Sequence, residues 1–99
     1  MSFIHNTQEI KDAIANGSFN LRGFINSQMS GDEEDMLSRV GADYAGDVIT
    51  TTASKHGVDG REATDFMLRY ALMRCVEKGD PLSFDMFASE AATKYKLLP

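Results

Sequence analysis

The chain has 99 residues, 42% of them hydrophobic, with ten Lys and Arg against fifteen Asp and Glu for a formal charge of -5. That length fits one domain, residues 1–99, with a single core, and the apolar content without low-complexity tracts excludes a disordered chain. The lone cysteine, Cys75, can form no internal disulfide, which points to a reducing compartment.

The first helix is predicted to start at Asn6-Thr7-Gln8-Glu9, where Asn6 caps and Glu9 reaches back from the third helical position. Ile10, Ala13 and Ile14 give its inward stripe, and Asn16-Gly17 the stop. Ser18 is expected to cap a short second helix with Leu21, Phe24, Ile25 and Met29 inward, although Gly23 inside it lowers its propensity.

Ser30-Gly31-Asp32-Glu33 reads as a capping box at the head of a third helix. Met36, Leu37, Val40, Tyr44, Ala45, Val48, Ile49 and Ala53 follow at helical spacing up to the stop at Lys55-His56-Gly57. The β-branched run Val48 to Thr52 would pass alone as a strand. The spacing on both sides of it favours one long helix, bent at Gly46.

Residues 61–78 form the stretch around which the rest is organised. Ala63, Phe66, Met67, Tyr70, Ala71 and Met73 fill one broad helical face, while Leu68, Leu72 and Val76 make a second stripe nearly opposite. A helix apolar on two sides belongs at the centre of a fold. Asp59-Gly60-Arg61-Glu62 is expected to cap it, and Arg61, Asp65, Arg69, Arg74 and Lys78 occupy the directions left over. Gly79 ends it, and Asp80-Pro81 turns the chain into a last helix with Phe84, Phe87, Ala88, Ala91 and Tyr95 on one face.

The surplus charge lies in residues 31–60. There Asp32, Glu33, Glu34, Asp35, Asp43, Asp47 and Asp59 face only Arg39 and Lys55. An acidic surface at Asp32, Glu33, Glu34, Asp35, Asp43 and Asp47 repels phosphate backbones and anionic membranes and suits a partner protein with a basic surface. Apolar residues near the ends, Phe3, Ile4, Phe84, Met86, Leu97 and Leu98, are those expected to remain outside a filled core, where they would hold a partner or form a homodimer seam. Of the six methionines, most read as core filler.

Thr52-Ala53-Ser54-Lys55-His56-Gly57-Val58, running into Ala63 and Phe66, resembles the helix-turn-helix signature: a small residue, glycine four later, then apolar residues at set spacing. The resemblance covers about twenty residues and is departed from at Thr52 and His56. It implies nucleic-acid contacts by Arg61, Thr64 and Arg69. Asp59 and Asp65 sit in the same presented stretch, however, which is poor chemistry for a phosphate-lined groove. Glu62-Ala63-Thr64, Ser89-Glu90-Ala91 and Leu97-Leu98 also resemble pieces of the late-transcription coactivators of T4-type phages, in fragments too short to fix a family.

No phosphate-binding glycine loop, nucleophile elbow or calcium-loop spacing is present, and neither His5 nor His56 has a second histidine or a cysteine at three or four residues. The expectation is therefore an all-α bundle of about five helices around residues 61–78, without metal or cofactor. Its expected role is non-catalytic: an acidic protein-binding module of the cytoplasm, since the N-terminus lacks the basic region and apolar run of a signal peptide. The rivals are a helix-turn-helix regulator and a self-associating structural subunit.

Overall fold

The computed structural model describes residues 6–99. Three of the helices begin at a side chain that accepts an otherwise unpaired N–H of the first turn. Helix α1, Thr7–Asn16, is capped by Asn6, whose Oδ1 accepts the Glu9 N–H at 2.9 Å while its amide donates to the Glu9 carboxylate at 2.7 Å. Helix α2, Leu21–Asn26, is capped by Asn20, which accepts the Gly23 N–H at 3.0 Å. That corrects the expected cap at Ser18, whose N–H instead closes the end of α1 on the Ala13 carbonyl. Gly23 has a reason to be glycine: a Cβ there would stand 2.8 Å from the capping Asn20 side chain.

The long third helix is in fact two, so the bundle has six α-helices among the described residues rather than about five. Helix α3, Gly31–Val40, ends and helix α4, Ala42–Lys55, begins at Gly41, not at the expected Gly46. Gly41 has φ 96° and ψ 119°, a conformation that side chains with a Cβ avoid. Its N–H closes α3 on the Leu37 carbonyl and its own carbonyl accepts the Ala45 N–H, each at 2.8 Å. One residue thus closes the first ladder and opens the second. Gly46 lies within α4, and the β-branched run Val48 to Thr52 is helical.

Helix α5, Arg61–Lys78, is the centre of the bundle. Ala63, Phe66, Met67, Tyr70, Ala71, Leu72 and Cys75 have no exposure at all, and Leu68 and Val76 are half-buried against the same core. Its expected cap at Asp59 is not formed: Gly60 precedes the helix with no side-chain bond, and the Thr64 hydroxyl turns back onto the Gly60 and Arg61 carbonyls. Asp80 caps a 3-10 turn, Pro81–Ser83, by accepting the Leu82 N–H at 2.9 Å and the Ser83 hydroxyl at 2.8 Å. Helix α6, Phe84–Lys96, follows and packs along α5 more extensively than any other element.

Two features fix how the layers meet. Phe66 sits among the rings of Phe19, Phe24, Tyr70 and Tyr95, with centroids 5.7 to 5.9 Å away. It therefore joins α2, α5 and α6 in one aromatic cluster. Helix α1 is seated by Ile10, fully buried, and by a polar latch in which Glu77 accepts the Thr7 N–H and hydroxyl. Beside the latch, Glu90 takes the Tyr70 hydroxyl and lies 3.2 Å from Arg74 and 3.8 Å from Lys11.

Candidate protein-binding surface

The helix-turn-helix-like spacing is realised as packing. Ala53, Val58, Ala63 and Phe66, the small and apolar positions of the signature, are all buried in the core. Helix α5 would be the recognition helix, yet it is covered by α6, α3, α4 and α2. Of the three candidate nucleic-acid contacts, Arg61 is exposed and 3.7 Å from Asp65, and Thr64 is half-buried with its hydroxyl turned to the backbone. Arg69 is only 8% exposed, so it is unavailable to a phosphate.

The acidic set divides in a comparable way. Asp32, Glu34 and Asp35 are exposed on the first turns of α3, and Asp43 and Asp47 are exposed one turn apart on α4. Glu33 is not on that surface: it is 9% exposed, and its Oε2 lies 3.3 Å from Arg69 Nε. One residue from each of the two rival sites thus meets the other inside the fold. Glu33 also completes the capping box, accepting the Ser30 N–H while Ser30 Oγ accepts its own, each at 3.2 Å. Arg69 spends its remaining donors on the Ser27 carbonyl at 2.9 Å, the Ser27 hydroxyl at 3.3 Å and the Phe24 carbonyl at 3.4 Å, and its guanidinium lies 5.3 Å from the Phe24 ring centroid. These bonds clamp the link between α2 and α3 onto α5. They are a structural use of both residues.

Apolar side chains expected to be spare are distributed differently from the expectation. Phe84 is fully buried, because it opens the α6 face that meets α5, and Leu98 is half-buried. Met86 and Leu97 are exposed, at 56% and 60%. Phe3 and Ile4 lie outside the described residues. Met36, Met67 and Met73 are core filler, and Met29 packs on the core edge.

Two exposed apolar side chains escaped the sequence. Leu82 stands 91% exposed in the 3-10 turn, and Tyr44, assigned inward by spacing, is 52% exposed. The break at Gly41 restarts the helical phase, so a stripe counted from Met36 misplaces Tyr44. Its hydroxyl donates to Asp85 Oδ1 at 2.7 Å, bridging α4 to α6. That bond to a carboxylate raises the Tyr44 pKa above the ordinary phenol value. Leu82 and Met86 lie three residues before and one after Asp85. Tyr44, Leu82 and Met86 therefore gather about one acid at the α4–α6 edge, with Asp43 and Asp47 beside Tyr44 on α4.

Cys75 is buried in α5, and burial, helped by Asp80, pushes its thiol up to about 11. At pH 8 about one thiol in a thousand would then be ionised, against about one in four for an ordinary cysteine. Reaction with a disulfide reagent such as Ellman's is therefore expected to be at least ~100-fold slower in the native protein than in urea. Comparable rates in the two states would show that the thiol is accessible.

Among the described residues, no three His, Cys, Asp or Glu side chains converge as a metal site. No helix among them is long and apolar enough to cross a membrane. Comparison with protein-family models, with curated proteins and with solved structures gives no match.

Proposed function

We propose that the protein is a non-catalytic binding module of the cytoplasm that recognises another protein by its basic surface, as an adaptor, an inhibitor or a transcription-associated factor. The observation that carries this reading is the state of the carboxylates on α3 and α4. Asp32, Glu34, Asp35, Asp43 and Asp47 point outward, and among the described residues none of the five lies within ion-pair distance of a cation. The sixth, Glu33, is taken by Arg69. Five uncompensated charges on adjoining helices create a field that steers a basic partner and hinders approach to a phosphate backbone. No second reading is favoured by an observation of its own, since the helix that would enter a DNA groove is the central helix of the bundle.

The test is recovery of partners from native cytosol at low and moderate salt, with and without nuclease, by the wild type and by the combined variant Glu34→Lys, Asp35→Lys and Asp47→Lys. All three positions are exposed, so the variant should fold. A partner that survives nuclease, weakens with salt and associates more slowly with the variant is the expected result, with the change concentrated in the association rate. An unchanged rate, or recovery of nucleic acid in place of protein, would overturn the reading.

A further inference from the structure

We infer that the docking point is the α4–α6 edge formed by Tyr44, Leu82, Asp85 and Met86, and that its occupant is an amphipathic helix of the partner carrying arginine beside an apolar stripe. This rests on the binding-module reading and names its site. Three of the four large hydrophobic side chains that are strongly exposed among the described residues flank Asp85, Tyr44 through its hydrogen bond and Leu82 and Met86 as neighbours three residues before and one after it. The 2.7 Å bond from the Tyr44 hydroxyl to Asp85 tethers the ring across the helix junction, which lowers the ordering cost of using it as a contact. Rigid aromatic side chains on an accessible edge are the residues that most often dominate interface energies.

Charge selects the occupant. From Ala42 to Ser54 and from Gly79 to Thr93 the chain contains no lysine or arginine, and of the acids there Asp43, Asp47 and Asp85 are exposed without an ion pair, while Glu90 is taken by Arg74 and Lys11 and Asp80 by its cap. Of the cations on the neighbouring helix, Lys78 lies beside the edge, against the Ser83 hydroxyl and the Phe87 ring, and Arg74 is turned toward Glu90 and the same ring. A second copy of this chain placed on the edge by a two-fold axis would set Asp43, Asp47 and Asp85 against their own copies, with Lys78 alone to offset the three of them. A partner helix with arginine beside leucines does the opposite. Asp85 Oδ1 accepts one bond from Tyr44, which leaves Oδ2 and a lone pair of Oδ1 for a guanidinium, and the exposed phenol ring gives that guanidinium a face to stack on. Lysine offers neither the fork nor the plane. Leu82 and Met86 then receive the apolar stripe.

The experiment uses the whole protein labelled with ¹⁵N and three synthetic helical peptides that share one leucine stripe, with arginine, lysine or glutamate at the flanking positions. The arginine peptide is expected to shift the amide signals of residues 43–48 and 82–89 and to bind more tightly than the lysine peptide. The glutamate peptide should leave the spectrum unchanged. The variant Leu82→Ser with Met86→Ser, and separately Asp85→Asn, should each weaken the arginine peptide by about tenfold, consistent with loss of an interface anchor. These positions are exposed, and far-ultraviolet dichroism confirms that the variants fold. Shifts centred on residues 32–35 would overturn the assigned site while leaving the binding-module reading in place. Binding by neither cationic peptide would overturn both. Signals of Met86 and Leu97 that move with protein concentration alone would overturn the proposed occupant in favour of a second copy.

Discussion

Replacing Arg69 with alanine is expected to destabilise the protein by about 3–5 kcal/mol, read as a lower urea midpoint at unchanged slope. The cost is that of leaving a charge stranded. Glu33 is 9% exposed and would keep its carboxylate without the guanidinium, while the Ser27 carbonyl would lose the donor that satisfies it. A folded domain of this size holds roughly 5–15 kcal/mol in total, so the variant would be close to unfolding. Glu33→Gln is expected to cost about as much, because the single side-chain oxygen of glutamine can accept from the Ser30 N–H or from Arg69 but not from both, and the buried Arg69 charge loses its counter-charge. The double change to Glu33→Met and Arg69→Met should cost less than either single change. It removes both charges, which is often neutral, but it does not replace the donors on the Ser27 carbonyl and hydroxyl. If Arg69→Ala shifted stability by less than about 1 kcal/mol, the pair would be behaving as a solvent-exposed one, and the clamp assigned to Arg69 would be wrong.

This pair also marks the limit of what the sequence can disclose. Ser30 and Glu33 are legible as a capping box because the motif is local and its geometry fixed. The same is true of the central helix, since an apolar pattern on two sides leaves no exposed placement for residues 61–78. What could not be read is which of several charged residues pairs across 36 positions of chain. Nothing in the spacing of Asp32, Glu33, Glu34 and Asp35 singles out Glu33 until α3 is set against α5. Arg69 is hidden for a related reason. A cation in a leftover direction of an amphipathic pattern reads as solvated, yet α5 has almost no solvated direction. Tyr44 was lost to phase: one glycine at an unexpected φ rotates every later side chain relative to the stripe before it. Leu82 was lost because a residue in a single 3-10 turn belongs to no periodic pattern that would assign it a face.

Phe66→Ala should match the loss at Arg69 through a different mechanism, with an expected cost of about 3–5 kcal/mol from lost transfer energy and the cavity left behind. The helix-turn-helix-like spacing gives Phe66 a local role under the second helix, which would confine the effect to α4 and α5. The structure places it differently. Its ring contacts Phe19 before α2, Phe24 within α2, Tyr70 one turn along α5 and Tyr95 near the end of α6. Each such aromatic pair contributes roughly 0.5–1.5 kcal/mol beyond area burial. The residues that lose a neighbour come from both ends of the described chain, so collapse of one wall cannot fill the space. Amide protection in α2, α5 and α6 is therefore expected to fall together, with α4 following only through the global equilibrium. Phe66→Leu retains most of the apolar volume and should cost roughly half as much or less, while still removing the aromatic pairings. Loss of protection limited to the α4–α5 turn, with α2 and α6 unaffected, would mean that the ring serves only the local crossing.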